Sequence, residues 1–248
     1  MSGAREYGLA LAIAMTLLAA WEIAARNGRI DVLVFPSPTA IVMSFGAIWR
    51  EGMAQNVAVT LTRFVSGLAL GSLPGLALGL AMGRSPQLRR IVDPFIAAIH
   101  PLPKIVLFPV LILLFGVSEW SRIASIALTA FFPAVINAAA GARQIPPLYL
   151  EVIRNYGGSR FDEFRHVVLP GSLPMVLNGL RIAANLSLLV TIAIEFTVMT
   201  AGVGSIIWIA LQTMRIEQLY AGIVVISLIG ISINIPLQLL LRRMANWM

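Results

Sequence analysis

Apolar residues in this chain come in long runs, and polar residues gather in the gaps between them. A helix needs about 20 mostly apolar residues to cross a hydrocarbon core. Six stretches qualify as predicted spans: Gly8–Ala25, Leu61–Met82, Phe95–Phe115, Ile123–Ala140, Leu180–Met199 and Leu219–Leu241. Between the first two, 36–56 is too broken to span, and the spacing of Ile41, Phe45 and Ile48 predicts a helix lying along the membrane surface. A second short interfacial piece is expected over 204–214. In the second span Gly67, Gly71, Gly75, Gly79 and Gly83 recur every four residues, a groove that lets a neighbouring helix approach closely. In the third, Pro101, Pro103 and Pro109 are expected to kink or break the helix and free carbonyls that must face protein or a water-filled cavity.

Composition agrees with the runs. With 58% hydrophobic and only 12% charged residues, the chain has too little polar surface for a water-soluble globule of 248 residues. The net charge of +7 would suit nucleic acid or cytoplasmic membrane loops. No basic cluster lies outside the gaps between apolar runs, so the charges read as topology signals and nucleic acid is not an expected partner. The absence of cysteine excludes a disulfide framework and thiol chemistry. The first apolar run has signal-peptide character, but the later spans make an uncleaved first helix the simpler reading. A single membrane domain over 1–248 is expected, with its core over 57–241.

With the N-terminus inside, Arg5, Arg84, Arg89, Arg90, Arg143, Arg154, Arg160, Arg165, Arg242 and Arg243 fall on the cytoplasmic side. Fewer fall outside: Arg26, Arg29, Arg50 and Arg215, with Arg63 and Arg122 near span ends. That bias predicts both termini in the cytoplasm. It also places the long gap between the fourth and fifth spans there. Within it, Pro146 and Pro147 suit a helix start, and Leu148–Tyr156 would form a helix closed by Gly157 and Gly158. Ser159 would cap a second helix with Asp162 and Glu163 in its first turn, and Pro170 would stop it. A loop of about forty residues with its own punctuation suggests a docking surface over 146–170.

Glu151, Gly157, Val167, Leu169 and Pro170 stand at the spacing E-A-A-x3-G-x9-I-x-L-P, with Val152 and Ile153 in place of the two alanines and Val167 in place of isoleucine. This resembles the coupling loop of type I ABC importer permeases. The stretches "FPSPTAI", "HPLPKIVLFPVLILLFGVSEWSRI" and "EFTVMTAGVGSII" resemble the nitrate, sulfonate and taurine subgroup. The resemblance implies an all-α polytopic fold of six transmembrane helices in a bacterial inner membrane. It also implies partners: two cytoplasmic ABC ATPase subunits, a second copy of the permease, and an extracytoplasmic substrate-binding protein. Glu151, Val152, Ile153, Arg154, Tyr156, Gly157, Gly158, Leu169 and Pro170 would couple to the ATPase. ATP and magnesium would be bound by that partner, since the one lysine, Lys104, follows "HPLP" and no phosphate-cradling G-x4-G-K exists.

Ionisable groups at membrane depth mark a pathway or a pair. Lys104 in the third span and Glu195 in the fifth are candidates for the translocation path, with Asn137 beside them. The alternatives are pairing within the bundle, with each other among the options, or snorkelling of Lys104. Asn137, Asn185 and Asn234 read first as interhelical hydrogen bonds. No metal site is expected, because His100 and His166 lack carboxylates at ligand spacing. Ser187 and Ser205 have no histidine at their depth, so an intramembrane hydrolase, and with it any catalytic residue, is disfavoured. A carrier driven by an ion gradient would use Lys104 and Glu195 as a relay, but no inverted repeat supports it. The residues do not identify a substrate; the resemblance to the nitrate, sulfonate and taurine subgroup implies a small organic or inorganic anion such as a sulfonate, taurine or nitrate.

Overall fold

The computed structural model describes residues 2–245, and every regular element among them is helical. Helix α1 (Ser2–Arg26) is followed by the short α2 (Pro38–Arg50) and the long α3 (Met53–Arg84). Then come α4 (Pro86–Ile99), α5 (Phe108–Phe115) and α6 (Glu119–Arg143). The chain continues through α7 (Pro147–Asn155), α8 (Arg160–Glu163), α9 (Leu169–Val198), α10 (Val203–Gln212) and α11 (Ile216–Ala245). Among the described residues, five helices are long and apolar enough to cross a membrane, and the α4–α5 pair makes a sixth crossing if counted as one bent unit.

Helix α6 is the centre of the bundle, packed between α3 and α9. The glycine stripe of α3 is the reason. A Cβ on Gly71 would overlap the Ala127 carbonyl, and one on Gly75 would lie 2.7 Å from the Phe131 carbonyl oxygen. Gly67, Gly79 and Gly83 meet Ile126, Val135 and Ala142 in the same way, so the stripe buries backbone against backbone along the whole α3–α6 contact. On its other side α6 meets α9 through Gly141 and Gly179, the latter 2.6 Å (as a Cβ) from Asn137 Cβ. The first helix is peripheral, with Leu9, Leu11 and Leu17 exposed as lipid-facing residues are.

The third predicted span is broken where its prolines predict, and its first half begins earlier, at Pro86. α4 and the segment Lys104–Phe115 are bent by 87° at the Pro101–Pro103 break, so neither half runs straight through. The prolines remove N–H donors and clash with a continuing helix, and a 3-10 turn over Lys104–Leu107 leads into α5. Pro170 corrects the sequence reading. It does not stop the loop's second helix but stands in the first turn of α9. A π-helical turn over Phe164–Val168 joins α8 to α9, and the Leu169 N–H reaches back to the Phe164 carbonyl. The wider turn absorbs the proline that an α-helical register would not. The piece expected at 204–214 is α10, but Val203, Gly204, Ser205, Ile207 and Ala210 are buried, so it packs against α9 and α11 rather than lying on the surface. Ile41 and Ile48 of α2 join the same cluster, with Val225 and Ile229 of α11.

Candidate functional site

The loop between α6 and α9 is a compact knuckle. Pro147 begins α7 in its first turn, where a missing N–H leaves no bond unmade. Leu150 is buried with Ala142, Ile145 and Val168, which roots the helix on the bundle. The turn after α7 closes by two reciprocal bonds, Gly157 N–H to Arg154 O and Gly158 N–H to Ile153 O, each 2.9 Å. These are the pair that defines a Schellman ending. The two glycines are needed for different reasons. Gly157 has φ +79 with open space around it, whereas a Cβ on Gly158 would collide with the Ile153 side chain and lie 2.9 Å from its carbonyl oxygen. Ser159 and Asp162 then form the expected capping box: the Ser159 N–H donates to Asp162 Oδ2 at 2.9 Å and Ser159 Oγ accepts from the Asp162 N–H at 3.3 Å.

Arg154 fastens the two short helices together. Its Nε donates to Glu163 Oε1 at 2.5 Å and its Nη2 to Oε2 at 3.0 Å, a bidentate pair with Glu163 buried and Arg154 open to solvent. The hydrogen bond and charge of Glu163 raise the Arg154 guanidinium above its ordinary pKa. The tip faces outward: Leu148 is 64% exposed and Tyr156 89%, with Val152 and Phe161 also open. Glu151 is exposed beside them and makes no ion pair among the described residues. Ile153 packs back on Gly158. Leu169 and Pro170 stand apart from this tip, at the start of α9.

Lys104 sits at the α4–α5 elbow. Its Nζ donates to the carbonyls of Ile99 at 3.1 Å, Leu102 at 2.9 Å and His100, which lie at the break between the two helices. The ammonium thereby caps the C-terminus of α4, and it also lies 4.5 Å from the Phe132 ring centroid. It lines a cavity of about 300 Å3, otherwise walled by Thr129, Pro133, Leu189 and Val190 among mostly apolar neighbours. All three ammonium donors are engaged, so the site offers positive potential to the cavity more than a free hydrogen-bond donor. Asn137 accepts from Asn178 Nδ2 at 3.2 Å and donates to the Pro133 carbonyl at 2.9 Å, tying α6 to α9. Asn234 Nδ2 donates to Asn185 Oδ1 at 2.7 Å, tying α11 to α9.

Glu195 is not beside Lys104. It is 1% exposed and accepts from Thr60 Oγ1 at 3.0 Å, Arg63 Nη1 at 3.1 Å and the Gly204 N–H at 3.0 Å. Arg63 grips Glu119 with Nε and Nη2, both at 2.7 Å, and donates to the Ala201 carbonyl at 2.7 Å. Arg122 pairs with Glu119 and donates to Thr200 Oγ1 at 3.1 Å. Two arginines and two glutamates thus close the end of the bundle formed by the start of α6 and the end of α9, opposite the knuckle. Sequence reasoning missed this cluster. Arg63 and Arg122 stood near span ends as topology signals, and their one visible hint was a buried acid at matching depth in another span.

Residues 71–248 match the family of binding-protein-dependent transport system inner membrane components. The chain belongs to that family. The taurine transport system permease protein TauC of Escherichia coli is 30% identical over 249 residues, covering 98% of this chain and 90% of that one. The nitrate import permease protein NrtB of Leptolyngbya laminosa is 31% identical over 184 residues, covering 74% and 66%. The fold matches the MetNI methionine ABC transporter in its inward-facing conformations, with a TM-score of 0.65 at 19% identity over 77% of this chain and 95% of that one. The protein is therefore a permease of the type I ABC importer family, in the group that includes the taurine and nitrate systems: a multi-pass membrane transport component.

Proposed function

We propose that this permease docks its knuckle, 146–170, onto a cytoplasmic ABC ATPase and forms, with a second copy of itself, the path for a small anion. The observation that carries this reading is the knuckle's build: a buried root at Leu150, an internal Arg154–Glu163 clasp, and an open apolar tip at Leu148, Val152 and Tyr156. A surface this apolar on a rigid short element suits the helix-in-groove mode of recognition. Two ATPase copies would bind ATP and magnesium and supply the energy, and this chain would contribute no catalytic residue. With the knuckle in the cytoplasm, both termini lie there too, in accord with the arginine bias. An extracytoplasmic binding protein would deliver the substrate at the end closed by Arg63, Glu119, Arg122 and Glu195.

Lys104 would give the cavity at the elbow its positive potential, which fits an anion such as taurine's sulfonate or nitrate, the cargoes named for the two relatives. Glu195 and Asn137 would serve the path as positioning groups that hold its helices. The test is uptake into proteoliposomes. Labelled taurine or nitrate should accumulate only when the ATPase, ATP and a binding protein are all supplied. Uptake by the permease alone along an ion gradient would overturn the proposal in favour of a carrier.

A further inference from the structure

A second cavity, of about 650 Å3, lies where the α3–α4 turn meets the knuckle. Its rim holds Arg84 at the end of α3, Arg160 at the start of α8, and Arg154. The one acid there, Glu163, is already gripped by Arg154 at two oxygens. Arg84 and Arg160 make no ion pair among the described residues, so three arginines against one glutamate leave the rim two charges positive. Ser85, which caps α4, and Gln87 in its first turn also line the rim and bring the positive end of that helix to it.

Below the rim the wall changes character. Ala77, Ala81 and Phe164 line it and are exposed. Ala77 precedes Arg84 by seven residues, about 10 Å along the helix, which is within reach of hydrocarbon. A charged mouth over an apolar trough at the edge of a membrane helix matches one kind of molecule. We propose that this cavity holds an anionic phospholipid, its phosphate between Arg84 and Arg160 and an acyl chain against Ala77, Ala81 and Phe164. Free phosphate would use the rim and leave the trough empty, and an acidic protein segment would not reach hydrocarbon depth. The lipid would bridge the α3–α4 turn to the root of the knuckle without touching its open tip, so the site stands independently of ATPase docking.

The test is lipid retention by the full-length protein, purified in its assembly from nanodiscs of mixed phosphatidylcholine and phosphatidylglycerol and weighed by native mass spectrometry. Phosphatidylglycerol should be preferred by about thirtyfold, the effect of two arginines near a lipid headgroup. Arg84→Gln with Arg160→Gln should abolish the preference, and Arg84→Lys with Arg160→Lys should keep most of it. Should the double glutamine variant fail to fold, each single variant should lose about fivefold. Unchanged preference in the glutamine variants overturns the proposal. So does displacement of the lipid by inorganic phosphate, which would assign the site to a soluble anion. Absence of any retained lipid, with Arg84 and Arg160 shielded in the assembly but open in the permease purified alone, would overturn it as well and assign the site to an acidic protein partner.

Discussion

The two ends of this bundle are built on opposite principles. At one end, Arg63, Glu119, Arg122 and Glu195 draw α3, α6, α9 and the 199–204 turn into an ionic network in which Arg63, Arg122 and Glu195 are buried and Glu119 is half exposed. At the other, the knuckle spends one bidentate pair on its own shape and leaves Leu148 and Tyr156 in the open. The first end satisfies its polar groups within the chain. The second leaves apolar surface that only another molecule can cover. Damage at the first should therefore register as lost stability, and damage at the second as lost function in a chain that still folds.

The largest effect is expected from Arg63→Ala, which leaves Glu195 and Glu119 without their shared cation. Removing one partner of a buried pair costs about 3–5 kcal/mol, and thermal unfolding of the purified protein in detergent should show it. Unaltered melting would place the stabilising weight of that end elsewhere. Gly71→Ala comes next. Its Cβ would strike the Ala127 backbone, and forced overpacking costs about 1–3 kcal/mol, again visible in melting. Lys104→Gln should lower anion uptake by removing the potential at the cavity, and it should also loosen the elbow through lost carbonyl caps. Restored uptake of a neutral cargo by the same variant would confirm the electrostatic part. Gly157→Ala should cost about 1 kcal/mol, confined to the knuckle, because alanine resists φ +79. Hydrogen exchange of the α7 amides should speed up while those of α6 stay protected.

The knuckle was legible in the sequence and the ionic end was not, and the reason is range. Pro147, Gly157, Gly158, Ser159 and Asp162 act on neighbours within a few residues, so their spacing spells the helix, its ending and its capping box. Arg63 and Glu195 are 132 residues apart, and Arg63 and Glu119 are 56 apart. No local pattern joins them. The elbow fell between these cases. Pro101, Pro103 and Pro109 predict a break, but the 87° bend brings Lys104 onto three backbone carbonyls and over the Phe132 ring, contacts that no local spacing specifies. Pro170 misled for the complementary reason: a proline reads as a stop, yet a π turn five residues long carries the helix through. The glycine stripe predicts close approach by its spacing alone, and α6 is the helix it admits.

The claim on which the account turns is that the open tip of the knuckle transmits ATPase motion without holding the fold together. The direct test is Glu151→Ala combined with Tyr156→Ser, with melting temperature and ATP-driven uptake measured on the same reconstituted preparation. Surface changes of this kind alter stability by no more than about 0.5 kcal/mol, so melting should stay where it was while uptake falls at least about tenfold and ATP hydrolysis no longer tracks substrate. Full ATP-driven uptake by that variant would contradict the account.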